Sequence, residues 1–311
     1  PRLEQVGFTR FNADLLAERC VDGGGLIIVE IPDPGYEPSL TSLRDAGWDA
    51  VFDIIDDWSD PALGGEWYDP DFENDLIGHA DAVVASASDL VDRADRAGRT
   101  GAVLVPNAVN DSVFGGEAGL RPPDLPDGPL IGYHGSLYGD WFDWDGLRAV
   151  ARAKPDATVV LIGEARGVPR DVPDNVVFLG LKAQGELPAY LSRLDVGLVP
   201  FTVTPTTHAV SPLKVFEYLA CGVPVAAPPL RALEGVDGVV LDRDLVTAVA
   251  AARSGPRPDP KAALRDHSWG ARLEVLFEAA GETLADVTGP AVQIARRPVV
   301  HYRWRERRIS R

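Results

Sequence analysis

Short apolar runs alternate with amphipathic stretches along most of the chain. Leu26–Ile31, Ala50–Ile55, Ala82–Ala87 and Ala102–Val105 are runs of this kind, closed by proline, acidic or polar residues. Between them Phe72–Ala80 and Ser88–Ala97 carry helical spacing, and Phe11–Ala17 reads as part of a short helix. Strands separated by helices of this length predict βα units and a parallel sheet. Runs that are apolar at nearly every position are expected where both sheet faces are covered. The proline-rich segment Leu120–Gly128 interrupts the pattern and suits a domain boundary. The alternation then restarts. Strands are predicted at Leu130–Tyr133, Ala157–Ile162, Val176–Leu179, Val196–Val199, Val223–Ala227 and Val239–Val240. Helices are predicted at Trp144–Ala153, Glu186–Leu194, Pro212–Cys221 and Trp269–Ala279. The second half is enough for a complete doubly wound domain. The first has few strands for one, and its opening strands are expected to be missing from this chain, which begins at Pro1 and contains no methionine. The expected organisation is a first domain over 1–125, a second over 126–285 and a basic tail over 286–311.

Composition narrows the function classes. A chain of 311 residues with 45% hydrophobic content can hold two cores. Thirty basic against forty-seven acidic residues give a net charge of −17, the wrong sign for a non-specific nucleic-acid binder. Seven arginines and one acid, Glu306, fill the tail from Arg296 to Arg311. That tail suits docking on the acidic body or contact with an anionic surface. Two cysteines, Cys20 and Cys221, make neither a disulfide framework nor a zinc site and fit a reducing, cytoplasmic setting. No apolar stretch approaches a membrane span, and no signal peptide opens the chain.

Candidate chemistry concentrates between Thr207 and Pro224. Ser211 is placed to accept from first-turn amides, with Pro212 at the first helical position. Leu213, Phe216 and Ala220 recur at helical spacing, and Gly222 and Pro224 stop the helix. Lys214 and Glu217, three apart, share a different face. A cation in the first turn is opposed by the helix dipole unless an anion binds there. The free amides, Ser211 and Lys214 together suit a diphosphate, and Glu217, one turn deeper, suits ribose hydroxyls. An ordinary capped helix with an exposed ion pair is the competing reading.

The stretch Pro212–Val225 (PLKVFEYLACGVPV) resembles the GT-B glycosyltransferases, in particular the large group of bacterial exopolysaccharide and cell-surface sugar transferases (glycosyltransferase family 4-like). Further segments agree in order. They are Val105-Pro106-Asn107, Ile131–Gly135, Leu161–Gly163, Val177–Gly180 and Asp195–Phe201, with Asp56-Asp57 and Ala80–Val83 plus Ser86 in the first half. The resemblance spans about Leu26 to Ala279. It implies two Rossmann-like α/β domains with parallel sheets facing across a cleft. It also implies a nucleoside-diphosphate sugar donor, with UDP favoured over GDP, and a hydroxyl acceptor, either saccharide or lipid-linked. A lipid-linked acceptor is compatible with peripheral contact of the basic tail at the inner membrane face.

By that similarity Ser211 and Lys214 contact the diphosphate and Glu217 the ribose. Gly135 and Ser136 approach the sugar phosphate, while Gly163 and Phe178–Leu181 border the base and ribose. Phe178 itself reads as core. Many retaining relatives carry a further glutamate eight positions before the ribose one; here that position is Ala209. Asp56 and Asp57 are candidates for the base at a cleft-facing strand end, and each is equally readable as a helix-start cap. His208 lies before the clamp helix within reach of a donor sugar, and His134 suits either a diphosphate contact or a structural bond. Asp143 and Asp145 flank Trp144 and read as a helix start. The aromatic loop Trp58–Tyr68 lines an acceptor groove or caps the first sheet. No metal and no cofactor are expected. A UDP-sugar 2-epimerase of the same two-domain shape, or an inactive nucleotide-sugar-binding partner, is the alternative.

Overall fold

The computed structural model describes residues 25–61 and 63–281; the predicted Phe11–Ala17 helix, Cys20 and the basic tail lie outside them. Two parallel sheets organise the molecule. The first contains β1 (Leu26–Val29), β2 (Asp49–Ile54), β3 (Ala82–Ala85) and β4 (Val103–Leu104), in that spatial order and all parallel. Successive strand residues face opposite sides of a sheet. Phe52, Ile54, Val83 and Ala85 pack on one face with Ile77 of α2 (Pro70–His79) and with Leu90 and Ala94 of α3 (Ser88–Arg96). The intervening Val51, Ala82 and Val84 pack on the other face. A further helix, α1 (Glu37–Asp45), which the apolar runs did not reveal, buries Leu43.

The second sheet has the order β10-β9-β8-β5-β6-β7. Its strands are β5 (Leu130–His134), β6 (Thr158–Ile162), β7 (Val176–Gly180), β8 (Val196–Leu198), β9 (Val225–Ala227) and β10 (Val239–Leu241). Strand order reverses between β5 and β8, and a doubly wound sheet binds ligands at the carboxyl edge of such a point. The helices of this part are α4 (Asp111–Phe114), α5 (Trp144–Ala153), α6 (Leu187–Leu191), α7 (Pro205–His208), α8 (Leu213–Ala220), α9 (Leu245–Ser254), α10 (Pro260–His267) and α11 (Trp269–Ala279). Predicted α5 and α11 keep their bounds, while α4, α7, α9 and α10 were not anticipated. Asp143 caps α5, its Oδ1 accepting from the Gly146 amide at 2.8 Å, so the Asp143/Asp145 pair is a helix start.

Two elements cross between the sheets. Val109 and Phe114 already belong to the second core, as does Leu125 of the proline-rich segment. Asp124 anchors that segment, accepting from Lys182 Nζ at 2.6 Å and Tyr190 Oη at 2.8 Å. In return α11, which the sequence places with the second domain, lays Leu276 on the outer face of the first sheet beside Val51, Val84 and Val105. The return passes the outgoing chain at Val109, whose amide donates to His267 O at 2.8 Å.

Candidate functional site

β5 and β8 pair only at Ile131↔Val196 and Gly132↔Gly197, and then part. The Tyr218 hydroxyl from α8 enters the gap. It donates to Gly132 O at 3.2 Å and accepts from the His134 amide at 3.0 Å, replacing the missing ladder bonds. Its ring needs Gly197, because a Cβ there would lie 2.5 Å from the Tyr218 ring. The carboxyl edge of the sheet beside this gap collects most of the predicted donor residues.

Lys214 leads them. Its ammonium lies 4.8 Å from the Phe201 ring centroid and 5.3 Å from that of Tyr133, and no carboxylate among the described residues pairs with it. Aromatic faces stabilise a cation without neutralising it. Burial pushes its pKa down to about 8, with the charge of Glu217 opposing that shift. Gly135 sits directly under it. With φ of +127° and a would-be Cβ 3.1 Å from Lys214 Cε, the position favours glycine twice over. Gly163 closes the same turn from β6; a Cβ there would come within 1.8 Å of Gly135 O. Ser136 continues the turn, its carbonyl accepting from Tyr133 Oη at 2.9 Å. Gly135, Ser136, Gly163 and Lys214 are therefore brought together.

Ser211 differs from expectation. The helix begins at Leu213, Pro212 stands at the cap position, and no side chain caps it. The Ser211 hydroxyl instead accepts from the Asn107 amide at 3.1 Å, while Asn107 Nδ2 donates to Ser211 O at 2.8 Å. A partner from the first sheet has taken the hydroxyl that helix amides were expected to use, and the first-turn amides of α8 remain without a side-chain cap. Glu217 is not exposed either. It is 3% accessible, and its Oε2 lies 3.1 Å from Nε2 of His134, itself 7% accessible. That places the His134 ring beside the carboxylate rather than free to face a diphosphate. Phe178, expected in the core, is 39% exposed because β7 is the outer strand of its sheet.

The catalytic candidates lie on the other side. Asp56 and Asp57 follow β2 at its carboxyl edge. Burial first, then the charge of Asp57, raise the Asp56 carboxyl to about 6, and no described group hydrogen-bonds its side chain. Asp57 is occupied. Its Oδ1 accepts from the Ser59 amide at 3.1 Å and from Arg93 at 3.1 Å. Arg93 also bonds Tyr68 Oη at 2.6 Å and the buried Glu73. Trp58 and Trp67 meet edge-on at 5.4 Å, so the aromatic loop is held against itself. His208 Nδ1 accepts from the Arg231 amide at 3.2 Å, and no described bond joins it to either aspartate. Next to it Thr206 donates to Asp60 at 2.6 Å, and Ala209 is buried among first-sheet core residues. The position where the resemblance led us to look for a further glutamate is here an apolar contact between the two halves. Among the described residues no cluster of His, Cys, Asp or Glu has the makings of a metal site.

Residues 128–254 match the family model of the glycosyl transferases group 1. The chain is similar to this family over that stretch, which runs from β5 to the end of α9. It is 31% identical over 221 residues to a Bacillus subtilis (strain 168) protein named for teichuronic acid biosynthesis, the glycosyltransferase TuaH. That alignment covers 63% of this chain and 54% of the relative, so the chain spans about half the length of the curated protein it matches. Among solved structures it is similar to Anabaena Alr3699/HepE in complex with UDP and glucose, with TM-score 0.60, 14% identity, and coverage of 86% of this chain and 81% of that one. It is also similar to a UDP-forming trehalose-phosphate synthase of Burkholderia xenovorans, with TM-score 0.61, 15% identity, and coverage of 87% and 76%. At these identities the two structures show the fold, two Rossmann-like units across a cleft. Sequence reasoning missed Asn107, Phe201, Tyr133 and Tyr218 as parts of the candidate site. A Pro-Asn at a strand end and aromatics flanking the glycine turn were visible, but which helix they meet was not.

Proposed function

We propose that this protein transfers a sugar from a UDP-type donor to a hydroxyl acceptor. The observation that carries the reading is the unpaired Lys214 ammonium, held by two rings over the Gly135 turn at the mouth of α8. A half-buried cation without a counter-ion, beside uncapped helix amides, suits a diphosphate. The names of the similar structures mention UDP, which favours uridine over guanosine. Gly135 and Gly163 let the backbone approach the phosphates, Ser136 borders them, and Glu217 takes the ribose.

In the transfer the acceptor oxygen bonds to the anomeric carbon as the bond to the β-phosphate oxygen breaks. UDP leaves with the electron pair, stabilised by Lys214 and the helix amides. The acceptor proton passes to a base, and the unpartnered Asp56 is our assignment. Asp57 shapes the loop that carries Asp56, and His208 supports the loop before α8. Surface-polysaccharide acceptors are suggested by the name of the Bacillus relative. We place the protein in the cytoplasm, in keeping with its two cysteines; no described helix is long and apolar enough to cross a membrane.

Calorimetry with UDP, GDP and their sugars tests this. Lys214→Ala is expected to weaken UDP binding at least about tenfold with the fold retained, as loss of a charged contact implies. Equal affinity in both proteins for every nucleotide would remove the diphosphate assignment. Epimerised donor formed without acceptor would favour an epimerase, and binding without turnover an inactive partner.

A further inference from the structure

Glu217 and His134 form a buried pair that the transfer reading leaves unexplained. Apart from His134, no described donor bonds the Glu217 carboxylate. The two groups approach to 3.1 Å, yet His134 Nε2 is not aligned in a hydrogen bond and has no other partner. A buried polar atom left in this state costs stability, and native proteins keep few of them. The imidazole has little freedom to seek another partner. Its own amide is tied to Tyr218 Oη at 3.0 Å, and its ring stands edge-on to the Tyr218 ring at 5.1 Å and 80°. Gly135 of the phosphate turn follows immediately. Glu217 and Tyr218 are neighbours on α8, so one helix fixes both the ring and the carboxylate it faces.

We propose that His134 is a positioning residue for ribose recognition, its Nε2–H holding one oxygen of Glu217 so that the carboxylate meets the 2′ and 3′ hydroxyls of the nucleotide. This rests on the reading of that carboxyl edge as a nucleotide site. An ionised carboxylate has room for about four hydrogen bonds, so a diol and an imidazole can be accepted together. Ribose binding turns the carboxylate, and the imidazole bond straightens with it. His134 thereby becomes a determinant of ribose over deoxyribose without touching the nucleotide.

Binding of UDP and 2′-deoxy-UDP to the full chain, measured by calorimetry, provides the test. Wild type is expected to prefer UDP by about tenfold, as for one lost hydrogen bond to a charged group. His134→Phe keeps the ring and removes the donor. It is expected to weaken UDP about five- to tenfold and 2′-deoxy-UDP, which keeps only the 3′ hydroxyl, by clearly less, so that the ratio falls toward that of Glu217→Gln. His134→Gln, which presents an amide donor at similar reach, should keep most of the ratio, and His134→Asn, which falls short, should lose it. That second pair decides the matter if the phenylalanine variant does not fold. A ratio preserved in His134→Phe or His134→Asn, or equal weakening of both ligands, overturns the proposal. A wild-type ratio near one removes Glu217 from the ribose and the proposal with it, whereas an unaffected Lys214→Ala variant strikes only at the diphosphate reading.

Discussion

Lys214 illustrates how far a single side chain depends on its surroundings. Its first-turn position opposed the helix dipole, and that pointed to an anion. The two rings beneath it were needed to explain how the charge is held while no ligand is bound. Because burial lowers its pKa to about 8, the free protein loses the cation as pH rises through that value, whereas bound diphosphate restores it. UDP affinity should therefore be level below about pH 8 and fall above it. Lys214→Arg, which stays charged, should flatten the decline whatever its absolute affinity. Titrations across that range decide; a profile identical in both proteins would exclude Lys214 as the titrating group. Asp56 has the opposite character. Folded, it keeps its proton to about pH 6, whereas unfolded it releases it near 3.8. Folding thus takes up a proton between these values, and stability falls as pH rises through the window. Asp56→Asn should stabilise the protein at neutral pH by up to about 3 kcal/mol and flatten that slope in denaturant melts. It should also reduce transfer if Asp56 is the base.

At the level of elements, the decisive feature is the divergence of β5 from β8. The apolar pattern predicted both strands without revealing that Tyr218 would complete their ladder. Gly197 was legible only as one member of an apolar run. Its small size matters because α8 lays a ring across it. Gly197→Ala should overpack this contact and cost roughly 1–3 kcal/mol. Nucleotide binding should weaken with it, since the same helix carries Lys214 and Glu217. Melts and calorimetry on the variant test this together, and an unperturbed protein would mean that β8 yields more easily than its packing implies. The start of α8 carries a related lesson. Ser211 had every local attribute of a cap, yet a strand end from the other sheet supplied a competing amide through Asn107. Local preference lost to a tertiary hydrogen bond.

Across the whole molecule, the two sheets are joined at several places. These are the Asn107–Ser211 pair, the Thr206–Asp60 bond, buried Ala209, the Arg231 pairs with Asp89 and Asp92, and the return of α11. The Arg231 pairs are solvent-facing and contribute little individually. Apolar burial by α11 matters more. Leu276→Asp places a charge against Val51, Val84 and Val105, and should cost on the order of 3 kcal/mol or more. Hydrogen exchange should show lost protection in β3 while β8 keeps its own. Equal loss in both would mean that the halves unfold as one unit. The loop from Thr206 to Ser211 touches the first half and leads straight into α8, so the joint between the halves and the proposed nucleotide site share a segment.

The sequence by itself determined the alternation of strands and helices, the two-sheet class, and the Pro212–Val225 motif that brought Lys214, Glu217 and the glycine turns under suspicion. These are properties of local spacing, and local spacing survives in a linear text. Partnership was left to the tertiary structure. It gave Ser211 to Asn107, His134 to Glu217, Asp57 to Arg93 and α11 to the first sheet. In each case the partners are distant in the chain or lie on elements whose packing the spacing does not fix. Hydrogen bonds and burial are satisfied by whatever the fold brings near, and only the folded molecule specifies that.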